Sequence, residues 1–359
     1  MNFNNMVDTK WKLILFIITT FVLIVVIAIF GLLIYINHYK NPDDQKLADA
    51  GILEKTIKVG DVTFNYAEGP DNGPPLLLLH AQTLDWYTYS KVLPELSTKF
   101  HLFAVDYPGH GKTKVPADYK FSANEIGADL ANFIENVIQE PAFVTGNSSG
   151  GLLTTWLAAN KPELVRAIVL EDPPLFSSEY PEIKRTVADK LFTSSYNAVN
   201  EGDSNYLNYW MKNSKEFFDK YTGPFSQQIV EFVVTSYKDA NPGQPVSIPF
   251  LPASVQEMIR GMDYYNPNFG ASFHVGTWNE GFDHAEALQK IKCPTLLIHA
   301  NFDITENGIL DGAMSQEQAD RAVSLVKDIQ YVRVDAAHVT NLEVPDQFVQ
   351  IVEDFFLDN

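Results

Sequence analysis

Three features of the sequence predict an α/β fold: a mostly parallel sheet flanked by helices, carrying an inserted helical cap and preceded by one N-terminal transmembrane helix. From Thr56 onward, short unbroken apolar runs alternate with helical patterns, the rhythm of buried parallel strands joined by helices. That rhythm lapses between residues 175 and 287 and resumes at Lys292-Cys293-Pro294-Thr295. Ahead of both, residues 13–36 form a run of 24 residues without a charge.

The apolar run sets the N-terminal organisation. At 1.5 Å per residue it makes a helix of about 36 Å, enough to cross a hydrocarbon core of roughly 30 Å with some tilt. A cleaved secretory signal would have an apolar stretch of about 7–15 residues and a small-residue cleavage site. Here the run is longer and ends in Tyr35-Ile36-Asn37-His38-Tyr39, so an uncleaved signal anchor is expected. Lys10 and Lys12 precede it, while Lys40 and Lys46 follow it among Asp43, Asp44 and Asp49, so the basic residues barely choose an orientation. The tail at 1–12 is too short to hold a domain. The expectation is therefore a single-pass protein of the cell membrane with its long C-terminal part on the extracytoplasmic side. Residues 37–55 are polar with scattered apolar positions and read as a stalk.

Composition narrows the function classes. The formal net charge of −19 repels nucleic acid and anionic headgroups, so neither is an expected partner; the membrane is met through residues 13–36. The lone Cys293 rules out an internal disulfide and leaves the redox compartment open. No spacing of Cys, His, Asp or Glu resembles a metal site. Gly109-His110-Gly111 lacks the third glycine and the helix of a dinucleotide loop, so neither metal nor cofactor is expected. Sequence alone leaves the oligomeric state open.

Within the folded part, Thr56-Ile57-Lys58-Val59 and Val62-Thr63-Phe64-Asn65-Tyr66 flank a Gly60-Asp61 turn and predict a hairpin. Buried strands are expected at 76–79, 102–105, 142–144, 167–170, 295–298 and 331–334, with helices at 123–138 and 152–159 between them. Residues 56–174 and 288–359 then form the core. Residues 175–287, rich in Phe, Tyr and Trp and in helix-compatible stretches, form a helical cap inserted into it.

The most informative stretch is Val144-Thr145-Gly146-Asn147-Ser148-Ser149-Gly150-Gly151, a strand running into a G-x-S-x-G frame. A serine on a sharp strand-to-helix turn needs small residues two positions before and after it, where a side chain would collide. The turn lifts the hydroxyl clear of the sheet and aims the amides of the next helix at the reaction centre. Ser148 is therefore the candidate nucleophile.

Three further motifs occur with it along the chain. Leu79-His80-Ala81-Gln82 follows an apolar strand. Asp106-Tyr107-Pro108-Gly109-His110-Gly111-Lys112-Thr113 follows another. Ala337-His338 follows the last strand and leads into Glu343-x-Pro345-x-x-Phe348. Together with the elbow they resemble the α/β-hydrolase superfamily over roughly residues 56–358: the His-Gly oxyanion loop, the D-x-P-G-x-G-x-S segment and the histidine loop before a closing helix.

The resemblance implies a triad in the order Ser, acid, His. A free hydroxyl is a poor nucleophile, so it needs a base within reach and a carboxylate that holds that base in the right tautomer. By motif the base is His338. Asp303, in His299-Ala300-Asn301-Phe302-Asp303, matches the family's G-x-x-D slot with alanine in place of glycine and is the expected acid. Glu171 or Asp172, in Leu170-Glu171-Asp172-Pro173-Pro174, is the main alternative, with Asp311 and Asp335 weaker ones. By resemblance the oxyanion donors are the backbone amides of Gln82 and Ser149, with Ala81 departing from the usual glycine. Asp85 and Trp86 open the next helix, and Trp86 could line a pocket.

What these readings imply is a membrane-anchored serine hydrolase cleaving a small-molecule ester, lactone or related acyl substrate through an acyl-enzyme. Serine at the elbow sets aside the relatives that use aspartate there. The same triad would serve an acyltransferase, an amidase or a C–C bond hydrolase. A catalytically silent binding protein of this fold is the alternative from another class.

Overall fold

The computed structural model describes residues 3–203, 205–224 and 226–359. The chain opens with a long helix, α1 (Phe3–Asn37), and a short one, α2 (Pro42–Asp49). A hairpin of β1 (Leu53–Val59) and β2 (Val62–Glu68) leads into β3 (Pro75–Leu79), α3 (Leu93–Leu96) and β4 (His101–Asp106). Next come α4 (Ala123–Phe133), β5 (Ala142–Asn147), α5 (Ser149–Asn160) and β6 (Val165–Glu171). The chain then leaves the sheet through α6 (Asp189–Glu201), α7 (Tyr206–Asn213), α8 (Lys215–Tyr221), α9 (Ser226–Ala240), α10 (Ala253–Met262), α11 (Pro267–Val275) and α12 (His284–Lys290). It returns with β7 (Thr295–His299), the small pair β8 (Asp303–Ile304) and β9 (Leu310–Asp311), and α13 (Gln316–Leu325). Last are β10 (Ile329–Arg333), α14 (Thr340–Glu343) and α15 (Pro345–Leu357).

Eight strands form one sheet in the order β1-β2-β4-β3-β5-β6-β7-β10. The pairs β1–β2 and β2–β4 are antiparallel; every other pair in this sheet is parallel. The expected α/β class with a mostly parallel, helix-flanked sheet holds.

Side-chain alternation explains why its strands read as unbroken apolar runs. Successive residues of a strand face opposite sides. Leu76 and Leu78 join Phe348, Val352 and Phe356 of α15 and Leu93 of α3 on one side. Leu77 and Leu79 join Ile126 and Leu130 of α4 and Leu152 and Leu153 of α5 on the other. All four β3 leucines are fully buried, each contributing about 1.5–3 kcal/mol of apolar transfer.

Residues 37–55, expected as a stalk, contain α2. Asn41 caps it by accepting the Asp43 amide at 3.1 Å, Pro42 occupies the first turn, and Asp43 and Asp44 follow. Buried Leu47 joins the α15 side of the core. Tyr87, beyond β3, donates to Asp44 at 2.6 Å, so this segment lies against the sheet.

The long helix α1 differs from the rest. Residues 11–32 are exposed, whereas Ile36 in its last turn is fully buried in the main apolar cluster. The helix packs against α9. It is long and apolar enough to cross a membrane.

The loops that follow β3, β5, β6 and β10 emerge at the carboxyl edge of the parallel strands. In an open α/β sheet that edge is where ligands are met.

Candidate active site

The elbow is built as its spacing requires. Ser148 has φ +56° and ψ −119°, a conformation that costs a non-glycine residue about 1–3 kcal/mol and persists only when its surroundings enforce it. Its amide donates to Glu171 O at 2.9 Å and its carbonyl accepts from Leu152 N at 3.1 Å, pinning the turn between β6 and α5. A Cβ on Gly146 would lie 2.3 Å from Gly150 O, and one on Gly150 would lie 2.2 Å from Leu79 O. Both contacts are with backbone, so nothing can move aside.

His338 stands in the loop between β10 and α14. Its Nδ1 donates to Asp172 Oδ2 at 2.7 Å. Asp172 is 1% exposed and directly follows β6. Its other carboxylate oxygen accepts from Ala300 N at 3.1 Å, and its amide donates to Ile298 O at 2.8 Å. The carboxylate therefore faces the imidazole from a fixed position between β6 and β7.

Asp303, the expected acid, is not the carboxylate that meets His338. It lies exposed on β8, opposite Asp311 of β9, with its side chain accepting from Ile304 N at 2.8 Å. The chain leaves β7 into the β8–β9 pair, and that pair holds residue 303 at the surface. Asp335 accepts from Asn301 Nδ2 at 2.8 Å, and Asp311 pairs with Lys220 at 3.1 Å. Glu171, the other alternative, points under the elbow: its Oε1 accepts from Thr145 at 2.6 Å and Tyr89 at 3.0 Å. Burial pushes its carboxyl up to about 8.

Gln82, Ser148, Ser149 and His338 line one cavity of about 360 Å³. Ser149 begins α5, so its amide is among the helix N-terminal N–H groups without an intrahelical acceptor. Its hydroxyl shares a hydrogen bond with Tyr107 OH at 2.9 Å. The Gln82 side chain donates to Tyr265 OH at 2.9 Å, and the Gln82 backbone carbonyl accepts from Thr83 Oγ1 at 2.6 Å, where Thr83 takes φ +63°. Ala81 is buried with its carbonyl accepting from His80 Nδ1 at 2.8 Å, so the loop accommodates the methyl group. The rest of the wall is largely apolar: Leu191 and Phe192 of α6, Phe217 of α8, Val255 and Met258 of α10 and Phe273 of α11. Trp86 is buried elsewhere, its indole donating to Glu54 at 3.2 Å.

One contributor escaped the sequence reading. Asn147 Nδ2 donates to His338 O at 2.9 Å and to Glu171 O at 3.0 Å, tying the histidine loop to the elbow. The only hint was a polar residue beside the serine at the end of a buried strand. The D-x-P-G segment, by contrast, braces the site from beneath. Buried Asp106 accepts from Asn65 Nδ2, Trp86 N and Lys112 N, and burial beside Asp85 raises its carboxyl to about 7. Among the described residues no group of three or more His, Cys, Asp or Glu is placed to hold a metal ion.

Several known proteins are similar to this chain. Over 94 residues the chain is 34% identical to the magnesium-chelatase 30 kDa subunit of Rhodobacter capsulatus, covering 26% of this chain and 33% of that one. The chain thus spans a third of that relative's length. It is 25% identical to the pimeloyl-acyl carrier protein methyl ester esterase of Legionella pneumophila over 289 residues, 79% of this chain and 95% of that protein. The solved carboxylesterase of Bacillus subtilis superposes with a TM-score of 0.60 at 19% identity, covering 88% of this chain and 96% of that one, a likeness of fold. A family model described as alpha/beta hydrolase fold matches residues 74–343. Because that match takes in most of the chain, including both the elbow and the His338 loop, the chain belongs to the α/β-hydrolase family.

Proposed function

We propose that this chain is a membrane-anchored serine hydrolase that cleaves an ester, lactone or related acyl substrate, using Ser148 as nucleophile, His338 as base and Asp172 as the orienting acid. The observation that carries the reading is the 2.7 Å bond from His338 Nδ1 to a buried carboxylate, with His338 lining the same cavity as the strained Ser148. With Nδ1 holding a proton for Asp172, Nε2 is left as the acceptor for the serine hydroxyl.

In the first half-reaction Ser148 Oγ attacks the substrate carbonyl while His338 Nε2 takes its proton. The oxyanion is met by the backbone amides of Ser149 and Gln82. As the C–O bond to the leaving group breaks, the imidazolium returns the proton to the departing alkoxide, giving an alcohol and an acyl-serine. Water then attacks the acyl carbon, His338 takes its proton, and the same proton is given back to Ser148 as the acid leaves. The Asp172 carboxylate, hydrogen-bonded to Nδ1, favours the imidazolium. The apolar wall of the cavity favours an apolar acyl or alkyl portion on the substrate.

We read α1 as the anchor. Its exposed apolar face has Trp11 at one end and Tyr35 at the other, with half-buried Tyr39 just past the helix, the aromatic residues that collect at the two membrane–water interfaces. The remainder of the chain then sits on the extracytoplasmic side.

A fluorophosphonate probe tests the chemistry. Wild-type protein should label and the Ser148→Ala variant should not; a folded wild type that never labels sinks the hydrolase reading.

A further inference from the structure

We infer that α9 forms a second membrane contact, seating the inserted helices on the bilayer beside the anchor so that the site draws an acyl ester already dissolved in the membrane. The inference rests on the reading of α1 as a membrane span.

The argument begins at the end of α1. Its charge-free run stops at Ile36, and Ile36 is fully buried against the rest of the molecule. The helix α9 packs against α1, and its buried Val230, Val233 and Val234 belong to the same apolar cluster as Ile36, while residues 11–32 are exposed. A helix that touches the last apolar turn of a spanning segment stands at the height of the membrane interface, beside Tyr35 and Tyr39.

The surface of α9 fits that position. Val230, Val233, Val234 and Tyr237 are buried inward. Outward, Ile229 and Phe232 are 60% and 55% exposed, three residues apart and so on one face. Their exposed neighbours Gln228 and Thr235 carry no charge, and the face meets its one exposed acid, Asp239, only in the last turn. On a chain of net charge −19, an outer stripe with two large apolar side chains and a single charge, Asp239 in its last turn, is out of keeping with contact with water alone. An interfacial helix buries such a face about 5–10 Å into the boundary between headgroups and acyl chains. Contact with that zone is continuous with the contact α1 makes, and a stripe whose one charge is acidic suits zwitterionic rather than anionic headgroups.

The same helix connects to the cavity. It packs against α8, whose Phe217 lines the wall around Ser148 and His338. An apolar cavity held at the bilayer surface by its own covering helices meets membrane-dissolved esters at a far higher local concentration than soluble ones.

The test uses the full chain in phosphatidylcholine vesicles with brominated acyl chains. A Phe232→Trp variant should show added indole emission quenched by about twofold relative to unbrominated vesicles, as an interfacial depth requires. Separately, the double variant Ile229→Asp, Phe232→Asp should hydrolyse a long-chain ester embedded in vesicles about tenfold more slowly, the scale of losing one buried apolar side chain. Its hydrolysis of a soluble short-chain ester and its fluorophosphonate labelling should be unchanged. Absence of quenching overturns the inference, as does an equal effect on both substrates or no effect on either. Cross-linking of α9 to a second copy without quenching would assign the stripe to self-association and also overturn it. Failure of the wild type to label sinks the hydrolase reading while leaving the quenching result standing. Release of the chain by carbonate wash removes the anchor and this inference together.

Discussion

Asp172 and His338 are 166 positions apart in sequence, yet the imidazole Nδ1 and the carboxylate Oδ2 lie 2.7 Å apart, with Ala300 N holding the other carboxylate oxygen. Replacing the carboxylate with an amide keeps the shape and removes the acceptor that selects the tautomer. Asp172→Asn should therefore slow acylation by about ten-thousandfold, the scale seen when a triad acid is neutralised. Asp303→Asn, at an exposed position on β8, should leave the fluorophosphonate labelling rate within about twofold of wild type, as surface substitutions away from a site do. The reverse ranking of the two variants would return the acid role to Asp303.

These two aspartates show what the sequence carried and what it did not. Ser148 was legible because its backbone strain forces glycine at 146 and 150, and that demand is local. His338 was legible through the loop motif after the last strand. The acid was not. Leu170-Glu171-Asp172 and His299-Ala300-Asn301-Phe302-Asp303 both place a carboxylate just past a strand, and local pattern does not rank them. Two long-range bonds settle the geometry, Asp172 N to Ile298 O and Ala300 N to Asp172 Oδ1, and both depend on the register between β6 and β7. Asn147 was missed for the same reason, since its partner His338 lies 191 residues away. The runs of β3 to β7 were legible because strands inside the sheet bury both faces, whereas the strand expected buried at 331–334 is the edge strand β10 at Ile329–Arg333, none of it fully buried. The α2 helix was overlooked although Asn41, Pro42, Asp43 and Asp44 form a readable N-terminal signal.

Asn147 acts on the reaction only through what it holds. Truncating it in Asn147→Ala removes the bond to His338 O and the bond to Glu171 O. The histidine loop should then sample positions away from the serine. We expect kcat to fall by about tenfold to a hundredfold, the cost of a small misplacement of a reacting group, with KM nearly unchanged. Stability should drop by about 1–2 kcal/mol for the lost buried hydrogen bonds. A fall in stability with kcat intact would make Asn147 merely structural.

The elbow glycines make a different prediction, one about folding. In Gly150→Ala the new methyl would lie 2.2 Å from Leu79 O, a backbone atom of the central strand β3. Relief requires separating α5 from β3, where Leu79 and Leu153 are both fully buried. Overpacking against backbone at this distance should cost about 3 kcal/mol or more. Thermal unfolding of the variant should show a clear drop in Tm, and a Tm equal to wild type would mean the turn is looser than the contact implies.

Glu171 gives a prediction in pH. Its carboxyl is fully buried, accepts from Thr145 and Tyr89 on one oxygen, and is pushed up to about 8 by burial. In the unfolded chain an ordinary glutamate titrates at about 4.3. Between those values the folded state holds a proton that the unfolded state has released, so this group's contribution to stability is present at low pH and lost as pH rises toward 8. Glu171→Gln keeps an oxygen for Thr145 and Tyr89, fills the space of the second oxygen and does not titrate. The wild type should therefore lose stability relative to the Gln variant by about 1.4 kcal/mol per pH unit across that window. Buried Asp106 and Glu257, raised to about 7 and about 8, push the wild type in the same direction, but both remain in the variant and cancel in the comparison. Denaturant melts of the two proteins at pH 5, 6, 7 and 8 measure the difference directly, and parallel curves would show that Glu171 ionises in the folded protein as readily as in the unfolded one.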